Sequence, residues 1–150
     1  MIVVDTGYFL ALVDADDNFH TRALGWAGSV SEGWATTWPV VTETSYLLAS
    51  RFGEAAKTDF LQEVFEGHIS LWEIPLAQAR KIPAMVKKYA SLPMDLADAS
   101  LVLLAEHLGH GRILTTDRRD FGTYRWKSAK PFHNLLDAGD AKLHGQVGTR

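Results

Sequence analysis

Four short runs rich in β-branched and aromatic residues are separated by longer stretches of helical periodicity: IVV at 2–4, WATTW at 34–38, HISLWEI at 68–74 and RILTTD at 112–117. That alternation constrains the fold more than any other feature of the chain. Strands joined through helices are not hairpins; they line up in parallel, with helices on both faces of the sheet. The spacing predicts a turn and short helix in TGYFLALVDADD, continued helically through HTRALGWAGSV until Gly33. Pro39 suits the first turn of a helix through VVTETSYLLAS, where its missing N–H costs nothing. Residues 54–66 repeat at helical spacing and Gly67 stops them. A helix from Pro75 through AQARKIPAMVKKYA is expected to kink at Pro83, and DLADASLVLLAEHLG is an amphipathic helix ended by Gly109. DRRDFGTYRWKSAKP reads as a basic loop. With 150 residues and no repeat or linker, the chain is expected to form one α/β domain over 1–136. The polar residues 137–150 read as a loose tail.

In an open parallel sheet, ligands bind beyond the carboxyl ends of the strands, so acids at strand ends carry the most information. Asp5 ends the first strand and Asp117 the last; each fits either a helix N-cap or a site. Glu43 has Val40 three residues before it and Leu47 four after, which places it on an apolar helical stripe. Asp98 shares a stripe with Leu101, Val102 and Ala105, and Asp95 lies one turn earlier on the same side. Asp95 alternatively caps that helix after Pro93. A carboxylate facing a core costs several kcal/mol unless paired, and no Lys or Arg occupies a matching inward position. With no cysteine in the chain, thiolate sites are excluded, and the ion that suits an all-oxygen cluster is Mg²⁺ or Mn²⁺. Such an ion lowers the pKa of a bound water and neutralises charge on a phosphoryl group, the chemistry of phosphodiester hydrolysis.

The order VVDT, VTETSYLL, LADASLVLLAE and ILTTDRRDF resembles the PIN-domain ribonucleases, above all the VapC-type toxins of bacterial toxin–antitoxin pairs, over about residues 1–136. The resemblance implies a three-layer α/β/α sandwich around a central parallel sheet. It carries an acidic quartet onto Asp5, Glu43, Asp98 and Asp117, with Asp95 as an accessory acid and Thr6 and Thr116 as hydroxyls that hold carboxylates or water. Asp5, Asp98 and Asp117 would hold Mg²⁺ or Mn²⁺, and Glu43 would position or deprotonate the attacking water. Arg118 and Arg119, directly after Asp117, would grip RNA phosphates. It further implies an RNA substrate, a cognate antitoxin, a homodimer and a cytoplasmic location without a membrane. No apolar run reaches the ~18 residues of a membrane span, and the acidic N-terminal flank is unlike a signal peptide.

Three other readings compete. Asp-Thr-Gly at 5–7 matches an aspartic-protease triplet, but that fold is all-β and the helical stripes contradict it. A structure-specific DNA nuclease and a catalytically silent PIN-like binding protein are the alternatives within the fold. The six histidines show no metal-ligand spacing, and the tryptophans read as core or dimer contacts, with Trp126 the one candidate base-stacking platform. The net charge of −3 argues against nucleic acid only until its distribution is considered. Residues 1–20 carry −4 and residues 112–130 carry +4, and without the quartet the total becomes +1.

Overall fold

A computed structural model of the chain describes residues 1–29 and 31–137. The elements run β1 (Ile2–Val4), α1 (Thr6–Val13), α2 (His20–Ser29), β2 (Trp34–Thr37), α3 (Trp38–Phe52), α4 (Glu54–Phe65), β3 (Ile69–Trp72), α5 (Leu76–Ala79), α6 (Ile82–Lys88), α7 (Leu96–Leu108), β4 (Arg112–Leu114), α8 (Arg118–Thr123), β5 (Arg125–Trp126), β6 (Lys130–Pro131) and β7 (His133–Asn134). The main sheet has the order β3-β2-β1-β4-β7 with every pairing parallel, as the alternation requires. Successive residues of β1 point to opposite faces, yet all three are fully buried, so the sheet is covered on both sides.

The strand order reverses at β1. From there the chain steps outward to β2 and β3 through α1–α4, then returns through α5–α7 to β4 on the other side. Crossovers between parallel strands are right-handed as a rule, so steps in opposite directions send their helices to opposite faces and leave the crevice between the carboxyl ends of β1 and β4 as the natural ligand position. Close packing of this junction depends on Gly7: a Cβ there would overlap the Thr116 hydroxyl. Helix α7 is held over the sheet by buried Leu101, Val102 and Leu104, and by a Thr37–Ser100 hydroxyl pair at 2.6 Å.

The 75–90 stretch departs from expectation. Pro83 kinks no continuous helix; it lies in the first turn of α6, after α5 has ended at Ala79. The segment expected as a basic loop contains α8 and an antiparallel β5–β6 hairpin, and β7 adds a fifth strand beside β4. Trp126 is a packing residue of that hairpin. It is 7% exposed, donates its indole N–H to Pro131 O at 3.0 Å, and crowds Gly111, so no base can stack on it. Apart from Asp137, the 137–150 tail lies outside the described residues. Among the described residues, no helix is long and apolar enough to cross a membrane.

Candidate metal and nuclease site

The acids come from four places in the sequence and converge on the β1–β4 crevice. Asp5 follows β1 and caps α1, with Oδ1 accepting from Thr6 N–H at 2.7 Å. Its Oδ2 accepts from the Thr115 hydroxyl at 2.8 Å. Asp117 follows β4 and caps α8, accepting from Asp120 N–H at 3.0 Å. Asp95 caps α7 by accepting from Asp98 N–H at 2.8 Å, and Asp98 reaches back to Asp95 N–H to complete a capping box. Glu43 projects from α3, where its carboxyl meets the Thr6 hydroxyl and Asp95. The cap and site readings of Asp5, Asp95 and Asp117 are therefore compatible, because three helix N-termini open into one crevice.

Burial dominates the electrostatics, and of the four quartet acids only Asp117 has a cation, Arg119, acting to lower its pKa. Asp5, 7% exposed, has its pKa pushed up to about 7, chiefly by desolvation and further by the charges of Glu43 and Asp117. Asp98 is pushed up to about 8 by desolvation and then by Asp95 and Asp5, although the Tyr124 hydroxyl donates to it at 3.2 Å. Glu43 and Asp117 are raised as well, with burial the leading cause in each. None of the ion pairs among the described residues takes in Asp5, Glu43, Asp95 or Asp98.

Among the described residues, no three acidic or histidine side chains stand as a ready-made ligand set. The hydrogen bonds explain this, since the aspartates are turned onto helix N-terminal N–H groups or hydroxyls. The donor chemistry nevertheless fits a hard divalent cation: carboxylate oxygens, no thiolate, and several negative charges crowded in one crevice.

Two hydroxyls escaped the sequence reading. Thr115, fully buried, donates to Asp5 and accepts from Asp117 N–H at 3.0 Å, so it ties the ends of β1 and β4 together. Its signal was present as a Thr two residues before the N–H it binds, a local turn motif overshadowed by the adjacent Thr116. Thr116 instead packs against Gly7. Tyr124, in the supposed loop, supplies the hydroxyl at Asp98. Thr6 is buried and accepts from the Thr44 hydroxyl at 3.2 Å. Arg118 is tethered, with Nε 2.6 Å from Asp137 and its guanidinium over the Phe19 ring, whereas Arg119 is largely exposed.

The PIN-domain family model matches residues 2–127. The chain belongs to the PIN-domain family. Ribonuclease VapC26 of Mycobacterium tuberculosis (strain ATCC 25618 / H37Rv) is 32% identical over 124 residues, 83% of this chain and 92% of that protein. The crystal structure of Mycobacterium tuberculosis VapC20, described as a sarcin-ricin loop cleaving toxin, superposes with a TM-score of 0.73 at 19% identity. That match covers 79% of this chain and 92% of VapC20, and it shows the shared fold: a central parallel sheet flanked by helices.

Proposed function

We propose that this PIN-domain chain is a Mg²⁺- or Mn²⁺-dependent endoribonuclease and the toxin of a toxin–antitoxin pair, working in the cytoplasm as a homodimer restrained by a cognate antitoxin. The observation that carries the reading is the set of carboxylates at the switch point of the sheet, raised chiefly by burial, with no ion pair to Asp5, Glu43 or Asp98 among the described residues. The 32% identical relative named a ribonuclease supports RNA as the polymer.

Asp5, Asp98 and Asp117 are the residues that would hold the ion, and bound there it would supply Lewis-acid activation of water and neutralise charge on the phosphoryl group. The chain does the rest. Glu43 has a raised pKa, which suits a group that takes a proton from the attacking water near neutral pH. Asp95, beside Glu43, and the Thr6 hydroxyl orient that carboxyl. Thr115 fixes Asp5, and Tyr124 fixes Asp98. Arg119, largely exposed next to Asp117, and Arg118 beside it would grip the phosphates next to the cleaved bond, and Thr116 keeps α1 seated against β4.

RNA cleavage by wild type and Asp98→Asn, with Mg²⁺ and with EDTA, tests the reading. The expected result is cleavage by wild type in Mg²⁺ alone, leaving 5′-phosphate and 3′-hydroxyl ends. Full activity in a folded Asp98→Asn chain, or in EDTA, would overturn it. Preferential cutting of flap DNA over RNA at fixed salt would reassign the polymer.

A further inference from the structure

A second site lies on the α6 and α7 side of the molecule. A cavity of about 670 Å³ there is lined by Lys81, Lys88, Arg125 and Lys127, with Glu106 the one carboxylate among its lining residues. The Glu106 carboxylate already accepts from Lys127 N–H at 2.9 Å. Residues 75–94, which form α5 and α6, contain Arg80, Lys81, Lys87 and Lys88 and no acid, so this face is strongly positive in a chain of net charge −3. At the hairpin tip, Lys127 and Ser128 both adopt positive φ, at 46° and 65°, without being glycine. That costly backbone is held by Glu106 and by Lys88 Nζ, which lies 3.5 Å from Ser128 O, and it presents Lys127 at the cavity.

Two packed elements lie between the cavity and the acid crevice. Helix α7 carries Asp98 in its first turn and Glu106 at its other end, ~12 Å along the axis. Tyr124 donates to Asp98 and packs its ring 5.0 Å from that of Tyr89, which lines the cavity. We infer that this groove binds the sugar-phosphate backbone of the RNA substrate away from the cleaved bond. The inference rests on the ribonuclease reading for its ligand, while its geometry is independent of the acids. Lysines grip phosphate as point charges, and phosphate contacts carry no sequence information, so the grip is sequence-independent and depends on salt. Three lysines and an arginine against one carboxylate suit a polyanionic strand, and the ribonuclease reading makes RNA that strand, with an acidic protein segment the other outcome of the test.

The test is fluorescence anisotropy with a labelled 24-nucleotide oligouridylate over a salt series in EDTA, so that binding is read without cleavage. The proteins are wild type, Lys81→Gln/Lys88→Gln/Lys127→Gln, and the control Lys57→Gln, whose lysine pairs with Glu54 on α4. Three lost phosphate contacts at roughly 0.7 each flatten the log–log salt slope by about 2, and affinity at low salt falls by about tenfold or more. Lys57→Gln keeps the wild-type slope. If the triple variant does not fold, Lys81→Gln/Lys127→Gln carries the same test with a slope change of about 1.4. An unchanged slope and affinity in the folded variant overturn the inference, as does tighter wild-type binding of an oligoglutamate probe. Loss of slope in the variant, with no RNA cut by wild type in Mg²⁺, removes the proposed activity and leaves the groove standing.

Discussion

The two ends of the central sheet use the same residue types to opposite effect. At the carboxyl ends, Asp5, Glu43, Asp98 and Asp117 crowd together and their pKa values rise. At the amino ends, Glu32, just before β2, meets Arg112 at the start of β4. Both carboxylate oxygens accept from the guanidinium, at 2.8 and 2.7 Å, and the Glu32 pKa falls to about 2. One end spends folding free energy to hold charge ready and the other is stabilised by charge. The contrast separates a site from a brace without any appeal to similarity.

The largest break in that contrast is expected from Asp5→Asn. The substitution keeps the shape and the cap but removes a buried charge that Glu43 and Asp117 repel. Ribonuclease activity should fall on the order of 10²-fold or more, the scale of losing one electrostatic catalytic group. The metal-free protein should melt higher, by about 1–3 kcal/mol equivalent near neutral pH. Parallel losses of activity and stability would mean that Asp5 is a structural cap only.

Thr115→Val comes next. It strands Asp117 N–H and leaves Asp5 with one partner, at a cost of about 1–3 kcal/mol. Because the hydroxyl lowers the Asp5 pKa, its loss should also move the lower limb of the activity–pH profile upward. Thr115→Ser should restore both. A profile that does not move would reduce Thr115 to a packing residue.

Much of this contrast was legible in the residue pattern. The strands IVV and RIL and the helix before Gly109 declare themselves by period and punctuation, so the parallel sheet and its switch point follow. Glu43 and Asp98 stood out because each interrupts an apolar stripe. Local pairing was harder to read. Two-residue strands such as Arg125–Trp126 and His133–Asn134 have no period, so neither the hairpin nor β7 is legible in the sequence, which leaves Trp126 open between packing and stacking. Thr115 and Tyr124 matter through partners more than 20 residues away, Asp5 and Asp98, which no spacing rule links. Pro83 fits a helix start as well as a kink, and only the break after Ala79 decides between them.

pH sharpens the comparison further. Asp5 and Asp98 bind protons more readily folded than unfolded, with pKa values of about 7 and about 8 against 3.8. Their unfavourable contribution is therefore absent below pH ~4, grows as pH climbs, and is complete above about 8. In EDTA the melting temperature should drop between pH 5 and 8, and saturating Mg²⁺ should stabilise the protein more at pH 8 than at pH 5. Equal stabilisation at both pH values would remove the link between these acids and the cation.

Glu32 has the reverse sign and the smallest effect. Its folded pKa of about 2 lies below the ordinary 4.5, so its contribution is present above 4.5 and is lost as pH falls toward 2. The pair is bidentate, yet the Arg112 side chain is 41% exposed, so solvent screening limits its worth to about 1 kcal/mol. Glu32→Gln should lower the melting temperature by a few degrees at most and leave RNA cleavage unchanged, since the residue lies at the opposite end of the strands from the acids. Its melting curve should approach that of wild type as pH falls below 4.5 and converge with it only toward pH 2, where the wild-type carboxylate protonates. A cleavage defect in this variant would show that the two ends of the sheet are coupled, and the separation of site from brace would fail.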